Sequence, residues 1–243
     1  MSFSRFTRTA LLRCAAVLTL AMPCSLALGQ QHSPSYYYDP QPLAPGEHLL
    51  NLGLSLTLLP EPNVEQEIPA PAIDLQAKYG LSNVFTAYGS LSTNIFTNVM
   101  LVGVQAGHSF GNWNVSAGDA FAFFAGFLSV EGQFNNNSAA AIANMPAVRI
   151  GRRIGQTAIS LSAYGTFLLH ADMNVASVRQ RGIELTFNDL YFTLAFEQPF
   201  FASVLVSSGV RVIYSRTPYQ SWMLYNTFDQ FLMLPEFFFA FQL

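Results

Sequence analysis

The chain has 243 residues, of which 51% are hydrophobic, 14% aromatic and only 10% charged. A typical soluble domain carries about 25% charged residues, so this composition does not suit a surface that contacts water on all sides. The formal net charge is −3, and the sequence has no basic patch of the kind that binds nucleic acid, so no nucleic-acid partner is expected. The length suits a single domain.

The first 29 residues differ from the rest of the chain. Arg5, Arg8 and Arg13 precede an apolar run from Cys14 to Leu28, and Ala27-Leu28-Gly29 places small residues at the positions that define a cleavage site. This pattern predicts a secretory signal peptide over residues 1–29, cut before the following glutamine.

Two alternatives to this signal peptide remain, a retained membrane anchor and a lipoprotein signal at Cys24. The apolar run is short for an anchor, and Pro23 stands where a lipoprotein signal carries a small residue. Removal of residues 1–29 takes away both cysteines and three of the eleven basic residues, which leaves a charge of 8 − 14 = −6. The mature chain would then have no disulfide framework.

The next segment is rich in proline and tyrosine. It reads "SPSYYYDPQPLAPG" over residues 33–46. Such a composition is typical of segments without a packed core, so we predict a disordered leader over residues 30–45.

A two-residue period begins after this leader. In "HLLNLGLSLTLLP", the leucines at 50, 52, 54, 56 and 58 share one face, and Asn, Gly, Ser and Thr occupy the other. Alternation of this kind predicts a strand with one apolar face. That face would contact a core in a soluble sandwich and lipid in a membrane barrel. The scarcity of charge on the polar face favours lipid.

The same period recurs along the rest of the chain. Nine further segments show it: 73–81, 84–96, 98–110, 114–131, 141–152, 156–169, 183–196, 202–215 and 234–243. Ten strands satisfy the even number found in single-chain bacterial barrels. We therefore predict an all-β protein, a transmembrane antiparallel up-and-down β-barrel over residues 46–243, with about 10 strands and 8–12 possible.

Two segments depart from strict alternation. In 114–131, phenylalanines occupy both parities, which the sequence alone does not explain. In 183–196, the apolar parity switches between Phe187 and Leu190. A β-bulge near Asn188-Asp189 would produce that switch.

Charged side chains are expected in the lumen wherever they take the polar parity of their strands. Five residues do so: Asp74, Lys78, Arg149, Arg211 and Glu236. Eight strands leave an interior filled by side chains and sixteen leave a channel, so ten lies near the filled end. Arg211 and Glu236 fall at similar heights on neighbouring antiparallel strands, which predicts an ion pair.

The signal sequence, the ten alternating segments and the terminal "FFFAFQL" together resemble the bacterial outer-membrane β-barrel superfamily. The resemblance implies that short turns, the leader and both chain ends lie on the periplasmic side. It also implies that the last strand is an assembly signal formed by Phe237, Phe239, Phe241 and Leu243, although such strands usually end in Phe or Trp. The implied partners are outer-membrane lipid, the barrel-assembly machinery and periplasmic chaperones, with export through the periplasm to the outer membrane.

The function suggested by these features is non-enzymatic, either a small passive pore or a structural and surface-contact protein. The alternative is an enzyme at the outer rim, an omptin-like protease or a lipid-modifying enzyme, for which His170-Ala171-Asp172 is the best local candidate. Glu61, Glu65 and Glu67 lack the spacing of a calcium loop. We assign no catalytic, cofactor or metal residue.

Aromatic residues near the strand ends suit the interfacial girdles of a barrel. They are Tyr79 and Trp113 near short turns, and Tyr214, Tyr219 and Trp222 near long loops. The aromatic loop at 217–233 either packs over the barrel mouth, the preferred interpretation, or offers a contact surface.

Overall fold

The computed structural model describes residues 35–59, 68–94, 96–130, 134–175, 178–181, 186–200, 204–216 and 231–243. These ranges fall within one compact unit, Pro34–Leu243. The strands of the described part are β1 (His48–Leu59), β2 (Ile68–Gly80), β3 (Phe85–Thr93), β4 (Thr97–Phe110), β5 (Trp113–Val130), β6 (Phe134–Asn144), β7 (Ala147–Ile154), β8 (Thr157–Val175), β9 (Val178–Arg181), β10 (Thr186–Phe200), β11 (Val204–Ser215) and β12 (Leu232–Gln242). Within the same ranges, no helix is long and apolar enough to cross a membrane.

The strands form one closed antiparallel sheet. β1 pairs with both β2 and β12, and β10 pairs with both β8 and β11, so the sheet has no open edge between its first and last strands. β6 and β7 each pair with β5 and β8, and they form two halves of one barrel strand interrupted at Met145-Pro146. β9 extends only from β8. The predicted ten-stranded barrel is therefore confirmed, with one extra strand.

The two-residue period sorts the side chains between the outer face and the lumen. On β12, Phe237 is 50% exposed on the outer face, whereas its neighbours Glu236 and Phe238 are buried inside. On β1, Leu54 is exposed and Ser55 is buried. An apolar exterior without sheet edges is the arrangement that a lipid bilayer requires of a β-structure.

The two irregular segments now have structural reasons. On β5, Phe121, Phe123 and Phe127 are exposed on the outer face, whereas Phe124 turns inward and packs against buried apolar residues. The register of β10 against β8 shifts between Phe187 and Asp189, which confirms the predicted bulge.

Buried apolar residues pack together inside the lumen. This group of residues is called the apolar cluster. It consists of Leu59, Tyr88, Ala120, Ala122, Ala143, Met145, Tyr191, Ile213, Leu232 and Leu234. Most of these residues come from the halves of their strands that adjoin the longer connections. We name that side of the barrel the loop end, and the side where 81–84, 111–112 and 155–156 join strands the short-turn end. The cluster therefore lies in the loop-end half of the lumen.

A carboxylate lies on the outer face, part-way along its strand. Asp119 of β5 is exposed between Ala117 and Phe121, and its carboxylate accepts hydrogen bonds of 2.8 and 2.9 Å from Nδ2 of Asn144. It stands six residues along β5 from Trp113, roughly 15 Å above the short-turn end for a strand tilted by about 40°. This depth places a carboxylate within the apolar belt.

The prediction of a disordered leader is wrong for residues 35–45. Tyr36, Tyr37 and Leu43 are buried, and Asp39 is only 1% exposed. The segment is ordered because lumen side chains satisfy its backbone donors and surround its tyrosines, a compensation that composition alone does not reveal. Residues 30–34 of that leader, and the predicted signal peptide over 1–29, lie outside the described residues.

Candidate functional site: the occupied lumen

The lumen at the short-turn end contains residues 35–46, which we call the inner segment. Its chief anchor is Glu197 of β10, which is buried and 1% exposed. The carboxylate accepts hydrogen bonds of 2.8 Å from three consecutive backbone N–H groups, those of Tyr37, Tyr38 and Asp39. The hydroxyl of Ser207 donates a further bond of 3.0 Å. Four donors around one carboxylate compensate its burial and fix the path of the segment.

Asp39 supplies the second anchor. Its carboxylate lies 2.7 Å from Nε of Arg153, and Nδ2 of Asn114 donates to both of its oxygens at 2.8 and 3.0 Å. Nζ of Lys78 donates to the Asp39 carbonyl oxygen at 3.2 Å. Asp39 is thus bound by residues of three strands: Asn114 of β5 and Arg153 of β7 bind its carboxylate, and Lys78 of β2 binds its backbone carbonyl.

The tyrosines of the inner segment pack and hydrogen-bond at the same time. The Tyr36 hydroxyl donates to the backbone oxygen of Gln156 at 2.6 Å. The Tyr38 hydroxyl accepts a 3.0 Å bond from Nε2 of Gln76, and the Tyr38 ring lies 4.9 Å from that of Phe238. Burial raises the pKa of the Tyr37 and Tyr38 phenols, so both remain neutral.

Glycines on the lumen wall make room for the inner segment. A Cβ at Gly107 would lie 2.8 Å from the Pro40 carbonyl oxygen, and a Cβ at Gly151 would lie 2.6 Å from Cδ of Pro40. Real Cβ atoms do not approach so closely. At the end of the segment, Gly46 adopts a φ of 81° in the turn that leads into β1, a conformation that favours glycine.

A cavity of about 100 Å³ lies between the inner segment and the apolar cluster. It is lined by Tyr37, Tyr38, Gln76, Lys78, Tyr88, Ser90, Leu101, Met145, Ala147, Arg149, Ser162, Tyr164, Thr193 and Arg211. Three of these lining residues are cationic and none carries a carboxylate. The cavity wall is therefore positively charged, and four tyrosine rings surround it.

The predicted ion pair between Arg211 and Glu236 is present. The two residues are register partners on β11 and β12, and Nη1 of Arg211 lies 2.6 Å from Oε1 of Glu236. Glu236 also accepts a 2.7 Å bond from the Thr57 hydroxyl, and Nε of Arg211 lies 3.2 Å from Oγ1 of Thr193. Four neighbouring strands, β10, β11, β12 and β1, are thereby connected on the lumen side of the wall.

The other predicted lumen charges have different surroundings. Lys78 is buried beneath the Tyr37 ring, with its Nζ 5.1 Å from the ring centroid. Arg149 donates to Oε1 of Gln105 and lies 4.7 Å from the Tyr88 ring centroid. Asp74 is on the same face of β2 but is only partly buried. Parity places all three inside, and the structure brings Lys78 and Arg149 to the wall of the same cavity, which Asp74 does not line.

The rim residues do not assemble around His170. Its side chain is exposed, its register partner on β6 is Ile142, and the neighbouring Ala171 is the residue that turns inward. Asp172 lies opposite Ala140 and Arg181. Within the described ranges, no group of three His, Cys, Asp or Glu residues is arranged to hold a metal ion.

Other sequence candidates fall on residues that are not described. Glu61, Glu65 and Glu67, the loop over 217–230, and Tyr219 and Trp222 lie outside the described ranges. The described aromatics lie as a girdle requires: Tyr79, Trp113 and Tyr214 are all exposed near strand ends. Phe231 stacks on Tyr214 with centroids 4.8 Å apart.

Sequence reasoning missed the residues that bind the inner segment, chiefly Glu197, Asp39 and Arg153. Parity alone could have placed Glu197 inside, because Phe192, Leu194 and Phe196 occupy the outer face of β10. The predicted segments 183–196 and 202–215 leave Glu197 between two strands, whereas β10 continues to Phe200.

The comparisons with known proteins concern the fold. No family model matches the chain, and no curated protein matches it. Neisserial surface protein A is similar at 8% identity and a TM-score of 0.37, over 81% of this chain and 96% of that chain. The translocator domain of the autotransporter NalP from Neisseria meningitidis has the same identity and TM-score, over 97% of this chain and 96% of that chain. The outer-membrane OmpT of Vibrio cholerae has 11% identity and a TM-score of 0.28, over 81% and 97%.

These solved-structure neighbours are bacterial outer-membrane β-barrels. The chain itself is all-β, a closed antiparallel barrel of ten strands with one extra strand and an apolar outer face. Its fold assignment rests on its own closed register and apolar outer face.

Proposed function

We propose that this protein is a non-enzymatic, non-conducting barrel with a structural or surface-contact role in the bacterial outer membrane. The observation that supports this choice is the filled lumen. The inner segment occupies the short-turn end, where Glu197 and Asp39 hold it through buried hydrogen bonds. The apolar cluster occupies the loop-end side.

A passive pore is the less favoured of the two non-enzymatic roles. A solute entering from either end would meet side chains packed against one another, and a ten-stranded barrel is narrow to begin with. Opening such a path requires that the buried hydrogen bonds of the inner segment break and that the apolar cluster separate. Both events expose groups whose burial stabilises the fold.

A rim enzyme is also less favoured. His170 is exposed while its neighbour Ala171 is buried, and within the described residues no group of three His, Cys, Asp or Glu residues could hold a metal ion. We expect no hydrolytic activity towards peptides or lipids, and no change in such activity after His170→Ala.

Biogenesis would follow the route that the sequence implies. Export through the periplasm would deliver the chain to outer-membrane lipid with the help of chaperones and the assembly machinery. Phe237, Phe239, Phe241 and Leu243 are exposed on the outer face of β12, which suits recognition of this strand before the barrel closes.

Planar-bilayer conductance of the purified protein tests the proposal. A porin of known conductance, inserted into the same bilayers, serves as the positive control. We expect no discrete current steps from this protein across a range of voltages. Reproducible steps of uniform size, absent from buffer and detergent controls, would contradict the proposal and restore the passive pore.

A further inference from the structure

The cavity between the inner segment and the apolar cluster has a wall whose charge is unbalanced. Of its three cations, Arg211 is paired with the carboxylate of Glu236. The hydrogen-bond partners of the other two are neutral oxygens: a backbone carbonyl for Lys78 and a side-chain amide for Arg149. Cations at a buried wall that contact neutral acceptors retain a strong preference for an anion nearby.

The nearby carboxylates are already engaged in other contacts. Glu197 is surrounded by three backbone N–H groups and the Ser207 hydroxyl, and Asp39 by Arg153 and Asn114. Neither acid lines the cavity. The carboxylates of Glu197 and Asp39 lower the cost of burying the charge of Lys78, but they do not occupy the cavity that Lys78 and Arg149 both line.

The rest of the wall sets the size and chemistry of an occupant. A volume of about 100 Å³ holds several water-sized groups but no extended molecule. Hydroxyl-bearing side chains at Ser90, Ser162 and Thr193 offer further donors beside the two cations. The rings of Tyr37 and Tyr88 contact Lys78 and Arg149, and both cationic residues also line the cavity.

We propose that this cavity binds one small oxyanion, of the size of phosphate or acetate, between Lys78 and Arg149. Charge-assisted hydrogen bonds from a planar guanidinium and an ammonium are the usual means of holding such a group. Because Tyr37 and Tyr38 of the inner segment form part of the wall, a bound anion also favours the docked position of that segment. Anion binding and docking of the inner segment are therefore thermodynamically linked.

The site is tested with inorganic phosphate and the protein from residue 30 onward in detergent. Equilibrium dialysis with labelled phosphate, at constant pH and ionic strength set with chloride, measures binding directly. We expect saturation at one phosphate per chain. Arg149→Gln is expected to weaken binding by about tenfold or more, since it removes a charge-assisted contact. Arg152→Gln is the matched control, because Arg152 is exposed and stacks on Trp113 on the outer face, and it should bind as the unmodified protein does.

A second measurement separates a specific site from general charge effects. A Leu43→Cys variant reports docking of the inner segment through its rate of labelling by a maleimide, and phosphate should slow that rate in proportion to occupancy. Lys78→Gln should abolish the slowing. Absence of saturable phosphate binding to the unmodified protein would overturn the proposal, as would equal affinities of the Arg149→Gln and Arg152→Gln variants.

Discussion

Replacing Glu197 with glutamine should release the inner segment from the lumen. In the native barrel, one oxygen accepts the N–H groups of Tyr38 and Asp39, and the other accepts those of Tyr37 and the Ser207 hydroxyl. A glutamine amide keeps one acceptor oxygen but presents an NH₂ group in place of the other. At least one buried backbone N–H would then face a donor, and the remaining bonds would lose their charge assistance.

The expected magnitude follows from these contacts. Loss of a hydrogen bond to a charged group costs about 1.5–3 kcal/mol, and more where the donor stays buried without a partner. We expect the docked state of the inner segment to lose about 2 kcal/mol, which raises the undocked population about 30-fold. Glu47→Gln is the matched control, because Glu47 also binds the segment, through Ser35 and the Ala44 N–H, at a position that is only partly buried. Its cost should stay below about 1 kcal/mol.

The assay is the labelling rate of a cysteine at position 43. The chain from residue 30 onward contains no other cysteine, and Leu43 is buried in the docked state. With Glu197→Gln, labelling should accelerate about 30-fold, whereas Glu47→Gln should change it by less than about fivefold. Equal labelling rates in the two variants would refute the role of Glu197 as the anchor.

Three further predictions concern the barrel wall. Arg211→Ala and Glu236→Gln should each lower the free energy of unfolding by about 3 kcal/mol, since the ion pair is largely buried. The double variant should lose less than the sum of the two single losses. Additive losses, measured by denaturant unfolding, would show that the ion pair contributes nothing. Asp119→Leu should stabilise the barrel in lipid bilayers by about 1–2 kcal/mol because it removes a carboxylate from the apolar belt, whereas Ala117→Leu, which changes no charge, should have a smaller effect. A destabilised Asp119→Leu variant would show that the hydrogen bonds from Asn144 outweigh the cost of placing the carboxylate there. Gly151→Ala should weaken docking of the inner segment by about 1–3 kcal/mol because the new Cβ crowds Pro40. Labelling of a cysteine at position 43 should therefore become faster. Gly165→Ala is the control: its Cβ would meet no atom closer than 3.5 Å, so the labelling rate should not change.

The architecture could be predicted from the sequence because a lipid-facing barrel enforces a strict period on every strand. The leucines of β1 and the phenylalanines of β12 give the register of each strand, and the parity switch at Phe187 gives the bulge. The Arg211 and Glu236 pair could be predicted for the same reason, since equal height and inward parity leave little freedom in a hairpin.

The inner segment could not be predicted by these means. Its residues show no period, and its order depends on contacts with residues more than a hundred positions away, such as Glu197 and Arg153. Composition indicated disorder, because prolines and polar residues rarely bury enough apolar area by themselves. Here the barrel supplies the missing partners. The close approach of the inner segment to the wall is reflected in the sequence by glycines on the lumen faces of β2, β4 and β7, namely Gly80, Gly107 and Gly151.

The occupied lumen is tested most directly by a cross-link between the inner segment and the barrel wall. The backbone N–H of Leu43 donates to the Thr86 hydroxyl at 3.2 Å, so cysteines at positions 43 and 86 should form a disulfide under mild oxidation. Trypsin cleaves after Lys78, between the two positions, so mass spectrometry can identify the linked peptides. The account predicts near-complete linkage for the 43 and 86 pair in the outer membrane, and none for a control pair at 43 and 119, since Asp119 lies on the outer face. Absence of the 43 and 86 linkage in a correctly folded barrel would contradict the account.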